Sequence, residues 1–115
     1  MDTYPNKTSS TTAVAASLTV APSASTGLHL RCFDITGFNN SASDQYIQVH
    51  DSATLAAEGA VPAVPPLLAP AGYQFSFSWP KGRLFAAGIS VCNSSTSTTK
   101  TIGSANCLFD INYRG

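Results

Sequence analysis

The chain has 115 residues, enough for one domain with its own core. Charge is sparse and balanced: 6 Lys and Arg oppose 6 Asp and Glu, and charged residues make up 10% of the chain, against about a quarter in an ordinary domain. This balance excludes the basic footprint of a nucleic-acid binder and the basic cluster that draws a protein to an anionic membrane.

The first twelve residues, "MDTYPNKTSSTT", hold little that could be buried. They are expected to form an extended N-terminal arm (residues 1–12) ahead of a domain over 13–115. They also lack the basic start and apolar stretch of a secretory leader. No apolar run approaches the about 20 residues of a membrane span.

Strand signals follow in chain order. Residues 13–20 alternate weakly, and 27–38 place Leu28, Leu30 and Cys32 on one face. "NNSASD" is a turn. Residues 45–51 set Ile47 and Val49 against Tyr46, Gln48 and His50. "SATLAAEGA" predicts a single helical turn ended by Gly59, with Asp51 as its cap. The segment 61–70 is broken by four prolines and predicts an extended connection or an edge strand.

"YQFSFSW" (73–79) puts Tyr73, Phe75, Phe77 and Trp79 on one face of a strand. In a chain with few other large side chains these rings are expected to supply the core. The alternative is a stacking platform for a sugar, with Tyr73 and Trp79 at its ends. "PKGR" then predicts a turn with Gly82 at positive φ, between strands 73–79 and 84–92. A last strand covers 105–113, with Cys107, Phe109, Ile111 and Tyr113 in phase.

The pattern predicts an all-β fold: one antiparallel β-sandwich or jelly-roll-like domain of about seven to eight strands.

Three cysteines leave one unpaired in any disulfide scheme. Cys32 and Cys107 fall in core phase, and Cys92 falls out of phase with Ile89 and Val91. Cys92 and Cys107 bracket one loop and could bond if their strands paired; three free thiols are the expectation.

His29 and His50 stand apart from other ligands, so neither a metal nor another cofactor is expected. His50 and Asp51 adjoin, but strand neighbours point to opposite faces. Asp34 and Asp110 lie within strands, to pair with Arg31 or Arg114 or to face solvent. No nucleophile–base pair emerges, and the chain is not expected to be an enzyme. Asn6, Asn39 and Asn93 stand in sequons that a Ser/Thr-rich chain produces by chance.

"YIQVHDSATLAAEGAVP", followed by "GYQFSFSWPKGRLFAAGISV", resembles small virion structural proteins of tailed bacteriophages. The residues that carry the resemblance are Gln48, Asp51, Ser52, Ala53, Thr54, Gly82, Phe85, Gly88 and Ile89. It covers roughly residues 27 to 113. The resemblance implies a β-sandwich subunit that decorates or cements a capsid, or belongs to a tail or fibre. It also implies a place in a virion built in a host cytoplasm. Its partners would be other virion proteins and copies of itself in a homo-oligomer, with no nucleic acid and no membrane.

Two stretches are candidate contact surfaces: the arm, with Tyr4 and Pro5, and the proline-broken segment, with Pro62, Pro65, Pro66, Leu67 and Leu68. A small carbohydrate-binding module, stacking a sugar on Tyr73 or Trp79, is the alternative function.

Overall fold

A computed structural model of the chain describes residues 7–22 and 29–115. It contains eight strands: β1 (Lys7–Ser10), β2 (Ser17–Val20), β3 (Leu30–Asn39), β4 (Gln45–Asp51), β5 (Leu67–Ala69), β6 (Gln74–Phe85), β7 (Ile89–Ser94) and β8 (Cys107–Arg114). They form two four-stranded sheets, ordered β1-β8-β3-β6 and β2-β7-β4-β5.

The pairing is nested. β1 pairs with β8, β2 with β7, β3 with β6 and β4 with β5, all antiparallel. Rolling this long hairpin adds the β3–β8 and β4–β7 ladders. The result is an all-β jelly roll, as the strand pattern predicted.

Inward residues of both sheets build one core. Ile35, Phe75, Phe109 and Ile111 come from the first sheet, and Ile47, Val49, Ile89 and Val91 from the second. Alternation puts them there: inward and outward side chains take turns along each strand.

The aromatic strand is only partly interior. Phe75 is buried and meets Phe109 at 5.8 Å. Phe77 and Trp79 are partly buried, packed against the core and stacked on each other. Tyr73, just before β6, is 65% exposed.

The predicted turn over "PKGR" is a bulge. Ser78 and Arg83 both pair with β3, opposite Asp34 and Cys32, so residues 79–82 arch past Phe33 within one long strand. Pro80 has no N–H for the ladder, which suits the arch. Gly82 does take the expected positive φ, at 82°. The predicted strand 84–92 divides, because residues 86–88 carry the chain from one sheet to the other.

Two other expectations change. Residues 7–10 of the predicted arm are strand β1, hydrogen-bonded to β8. The segment 52–60 is not helical: its backbone bonds go outward, from Gly59 N–H to the Lys100 carbonyl and from Lys100 N–H to the Ala60 carbonyl. Leu28, Tyr4, Pro5 and Asn6 lie outside the described residues.

Candidate functional site

The connection from β4 to β5, residues 52–66, lies as a strap along the second sheet. Its start is fixed by Asp51. That carboxylate accepts the N–H groups of Ala86 (3.2 Å), Ala87 (2.8 Å) and Gly88 (3.2 Å). The expected cap over "SATL" comes instead from Ser52, whose Oγ accepts the Thr54 N–H at 3.3 Å. Gly88 is needed for close approach: a Cβ there would fall 2.5 Å from the Ser52 carbonyl oxygen. Asp51, Ser52 and Gly88, three of the residues singled out in the sequence, thus lock one corner of the sandwich.

The strap's middle is held twice more. Ala63 N–H donates to the Val49 carbonyl at 2.8 Å, and Arg83 donates to the Ala63 carbonyl at 3.1 Å. Glu58 pairs with Lys100 and accepts the Ile102 N–H. The Lys100 hydrogen bond, and after it the Ile102 amide, holds the Glu58 carboxyl below its usual range.

Tethering leaves an apolar ridge. Val61 is 74% exposed, Leu68 49% and Leu55 43%; Pro65 and Pro66 are exposed beside them. Pro62 and Leu67 are partly buried, while Val64 and Ala69 are buried and anchor the ridge. Glu58 is the sole charged residue between 52 and 70. Four prolines fix the backbone in advance, so little ordering is left to oppose docking. Sequence reasoning had singled out Pro62, Pro65, Pro66, Leu67 and Leu68. Val61 opens the same proline-broken run, and Leu55 lies upstream of it.

Under the strap lies a layer that alternation alone would assign to solvent. Gln48, His50, Ser90, Cys92 and Ser94 point away from the core yet are buried. The Gln48 amide donates to the carbonyls of Thr96, Ser97 and Thr99 at 2.9 to 3.0 Å. Ser90 and Thr19 share a hydroxyl hydrogen bond of 3.0 Å.

The three cysteines are free and buried. Cys92 belongs to this outer layer, whereas Cys107 sits in the core on the other sheet, so the bracketing pair does not meet. Burial pushes the Cys32 thiol up to about 12, and Cys92 and Cys107 up to about 11. None is a ready nucleophile.

The outer face of the first sheet carries an open groove of about 680 Å³, lined by Ser10, Thr36, Gln74, Ser76, Leu108 and Asp110 among others. Asp34 and Asp110 both bond Asn112 beside it, at 2.6 and 3.4 Å. Ser10 also donates to Asp110. Arg31 instead donates to the Lys81 and Gly82 carbonyls. Trp79, a candidate stacking ring, gives one face to Phe77 and meets Phe85 edge-on. No group of His, Cys, Asp and Glu suited to a metal occurs among the described residues.

No protein-family model matches the chain, and no curated protein matches it. A solved structure of the Tobacco streak virus coat protein is similar over 94% of this chain and 88% of that one, at 14% identity and a TM-score of 0.41.

Proposed function

We propose that this protein is a structural subunit of a virus particle: a decoration or cement protein of a tailed-bacteriophage capsid. It acts by oligomerisation and surface burial, without catalysis. The ridge over residues 55–68 carries the reading. It is exposed, apolar, nearly uncharged and stiffened by prolines, the make-up of an interface core. The jelly-roll strand order agrees with it, since capsid subunits are among the proteins built this way. Fold alone does not assign function, so the ridge bears the weight.

Particle binding tests the proposal. Wild-type protein is expected to form a symmetric oligomer or to sediment with its particles. Val61→Lys with Leu68→Lys should abolish that while leaving the domain folded. A wild-type protein that stays monomeric and leaves particles unbound would contradict it.

A second reading, glycan binding, rests on the open groove with its polar rim and on exposed Tyr73 nearby in the chain. Calorimetric titration with glycans, repeated on Tyr73→Ala, separates it from the first.

A further inference from the structure

Charge is balanced along the chain but not across the fold. Every Lys and Arg except Lys100 lies at one end of the first sheet. Register sets them in a row across its four strands. Lys7 of β1 stands opposite Tyr113 of β8, and Arg114 of β8 stands opposite Arg31 of β3. Arg31 in turn stands opposite Leu84 of β6, with Arg83 next to it. Lys81 joins from the arch, where Arg31 donates to its carbonyl at 3.4 Å. Strands lie about 4.8 Å apart, so neighbouring cations fall within the about 10 Å over which charges act at 0.1 M salt. Leu30 and Phe85 face the core, so alternation turns Arg31 and Leu84 outward. Lys7, Lys81 and Arg83 are exposed, and Leu84, flanked by Arg31 and Arg83, is 51% exposed.

Few carboxylates answer these cations. Asp34 takes the Asn112 amide at 2.6 Å, and Asp51 takes the N–H groups of Ala86, Ala87 and Gly88. Glu58 is paired with Lys100 on the strap. Among the described residues, Lys7, Arg31, Lys81 and Arg83 form no ion pair. Sheets avoid like charges directly opposite each other, yet Arg31 and Arg114 are so placed. We propose that this basic end is a second docking surface, apart from the ridge, and that its partner is an acidic protein surface with an apolar centre.

Leu84 points to a protein and away from a nucleic acid. A phosphate backbone offers nothing to an exposed leucine, whereas a protein interface buries it at the centre of a charged rim in which Arg is enriched. The planar guanidinium fork of Arg also suits a carboxylate. The chain has no net charge. Attraction therefore acts at contact range, without the long-range field that draws basic proteins to nucleic acid. A second copy of this chain does not fit, because its described carboxylates are committed. Asp44 takes the Ala71 N–H, and Asp110 takes Ser10 and Asn112. That the partner belongs to a virion rests on the proposed function; the docking surface itself does not.

Titration of the isolated protein with defined anions, read by backbone amide NMR shifts, tests this without reference to particles. The probes are the peptide Glu-Glu-Glu-Leu-Glu-Glu-Glu, the same peptide with Ser in place of Leu, and a single-stranded oligothymidylate of equal charge. The leucine peptide should shift the amides of Arg31, Arg83 and Leu84 and bind more tightly than the other two. Its affinity should fall severalfold as salt rises from about 0.02 to 0.2 M. Lys7→Glu with Lys81→Glu should weaken it about tenfold or more. Leu84→Ser should erase the preference for the leucine peptide. Val61→Lys with Leu68→Lys should leave binding unchanged, which separates this surface from the ridge. Tighter binding of the oligothymidylate, shifts confined to other strands, or undiminished affinity in Lys7→Glu with Lys81→Glu overturns the proposal.

Discussion

Asp51 and Gly88 lock each other in place: the Asp51 carboxylate accepts the Gly88 N–H, and the Gly88 carbonyl accepts the N–H of Ser52, the residue after Asp51. This reciprocal pair fixes where the chain leaves one sheet for the other and where the strap begins. Asp51→Ala removes all three accepted N–H bonds and should cost about 2 kcal/mol or more in urea unfolding. A loss within about 0.5 kcal/mol would show that water replaces the carboxylate freely. Gly88→Ala should cost about 1–3 kcal/mol by overpacking, since the strap backbone sits where the methyl must go.

Gly82 is held at positive φ within the arch of β6, not in a hairpin. Gly82→Val should destabilise by at least about 1 kcal/mol, because a β-branched residue is strained there. A neutral Gly82→Val in thermal or urea unfolding would mean that the arch has another backbone path.

The aromatic strand makes a graded prediction. Phe75→Ala should cost about 3–5 kcal/mol, as expected for a buried ring. Phe77 and Trp79 cover the core's margin, so Phe77→Ala should cost clearly less. Equal losses would mean that Phe77 is interior.

The thiols predict an alkaline limit. Their protons are held in the folded state up to about 11 to 12, against 9.0 for an ordinary thiol. The unfolded chain therefore releases protons first, and folding stability falls as pH rises above 9.0. Cys32→Ala should flatten part of that fall in melting curves. Thiol titration should find three reactive groups in the denatured protein without reductant and almost none in the native one.

Strand β1 predicts what truncation does. Deleting residues 1–10 uncovers the β8 edge and removes the Thr8–Asn112 and Ser10–Asp110 hydrogen bonds. The melting temperature of the isolated domain should fall by several degrees, about 1–2 kcal/mol. An unchanged melting temperature would make residues 7–10 the free arm that their composition suggests.

Alternation made β3, β4 and β8 readable, since Ile35, Val49 and Ile111 lie where period two puts them. It could not reveal the burial of Gln48, His50, Ser90 and Cys92. Their polar phase says solvent, and only tertiary contacts say otherwise: the strap tied to Lys100 and Val49, the loop carbonyls that take the Gln48 amide, and Thr19 against Ser90. The β6 arch was hidden for a related reason: Pro80 and Gly82 mark a bend, but whether the flanks pair with each other or with β3 is a tertiary matter. Edge strand β1 escaped because Lys7–Ser10 buries little and is held by its ladder and hydroxyls. Of the candidate site, the prolines and leucines were legible in sequence. The exposure of Leu55 and Val61 was not, because it depends on which side of the strap faces the sheet.

The ridge over residues 55–68 is the surface proposed to meet a neighbouring virion subunit. Hydrogen exchange of the protein in its assembled state, compared with the free domain at neutral pH, tests it most directly. The account predicts that protection gained on assembly concentrates at residues 55–68. Protection confined to β1 or to the groove beside Asp110, with the ridge unchanged, would contradict it.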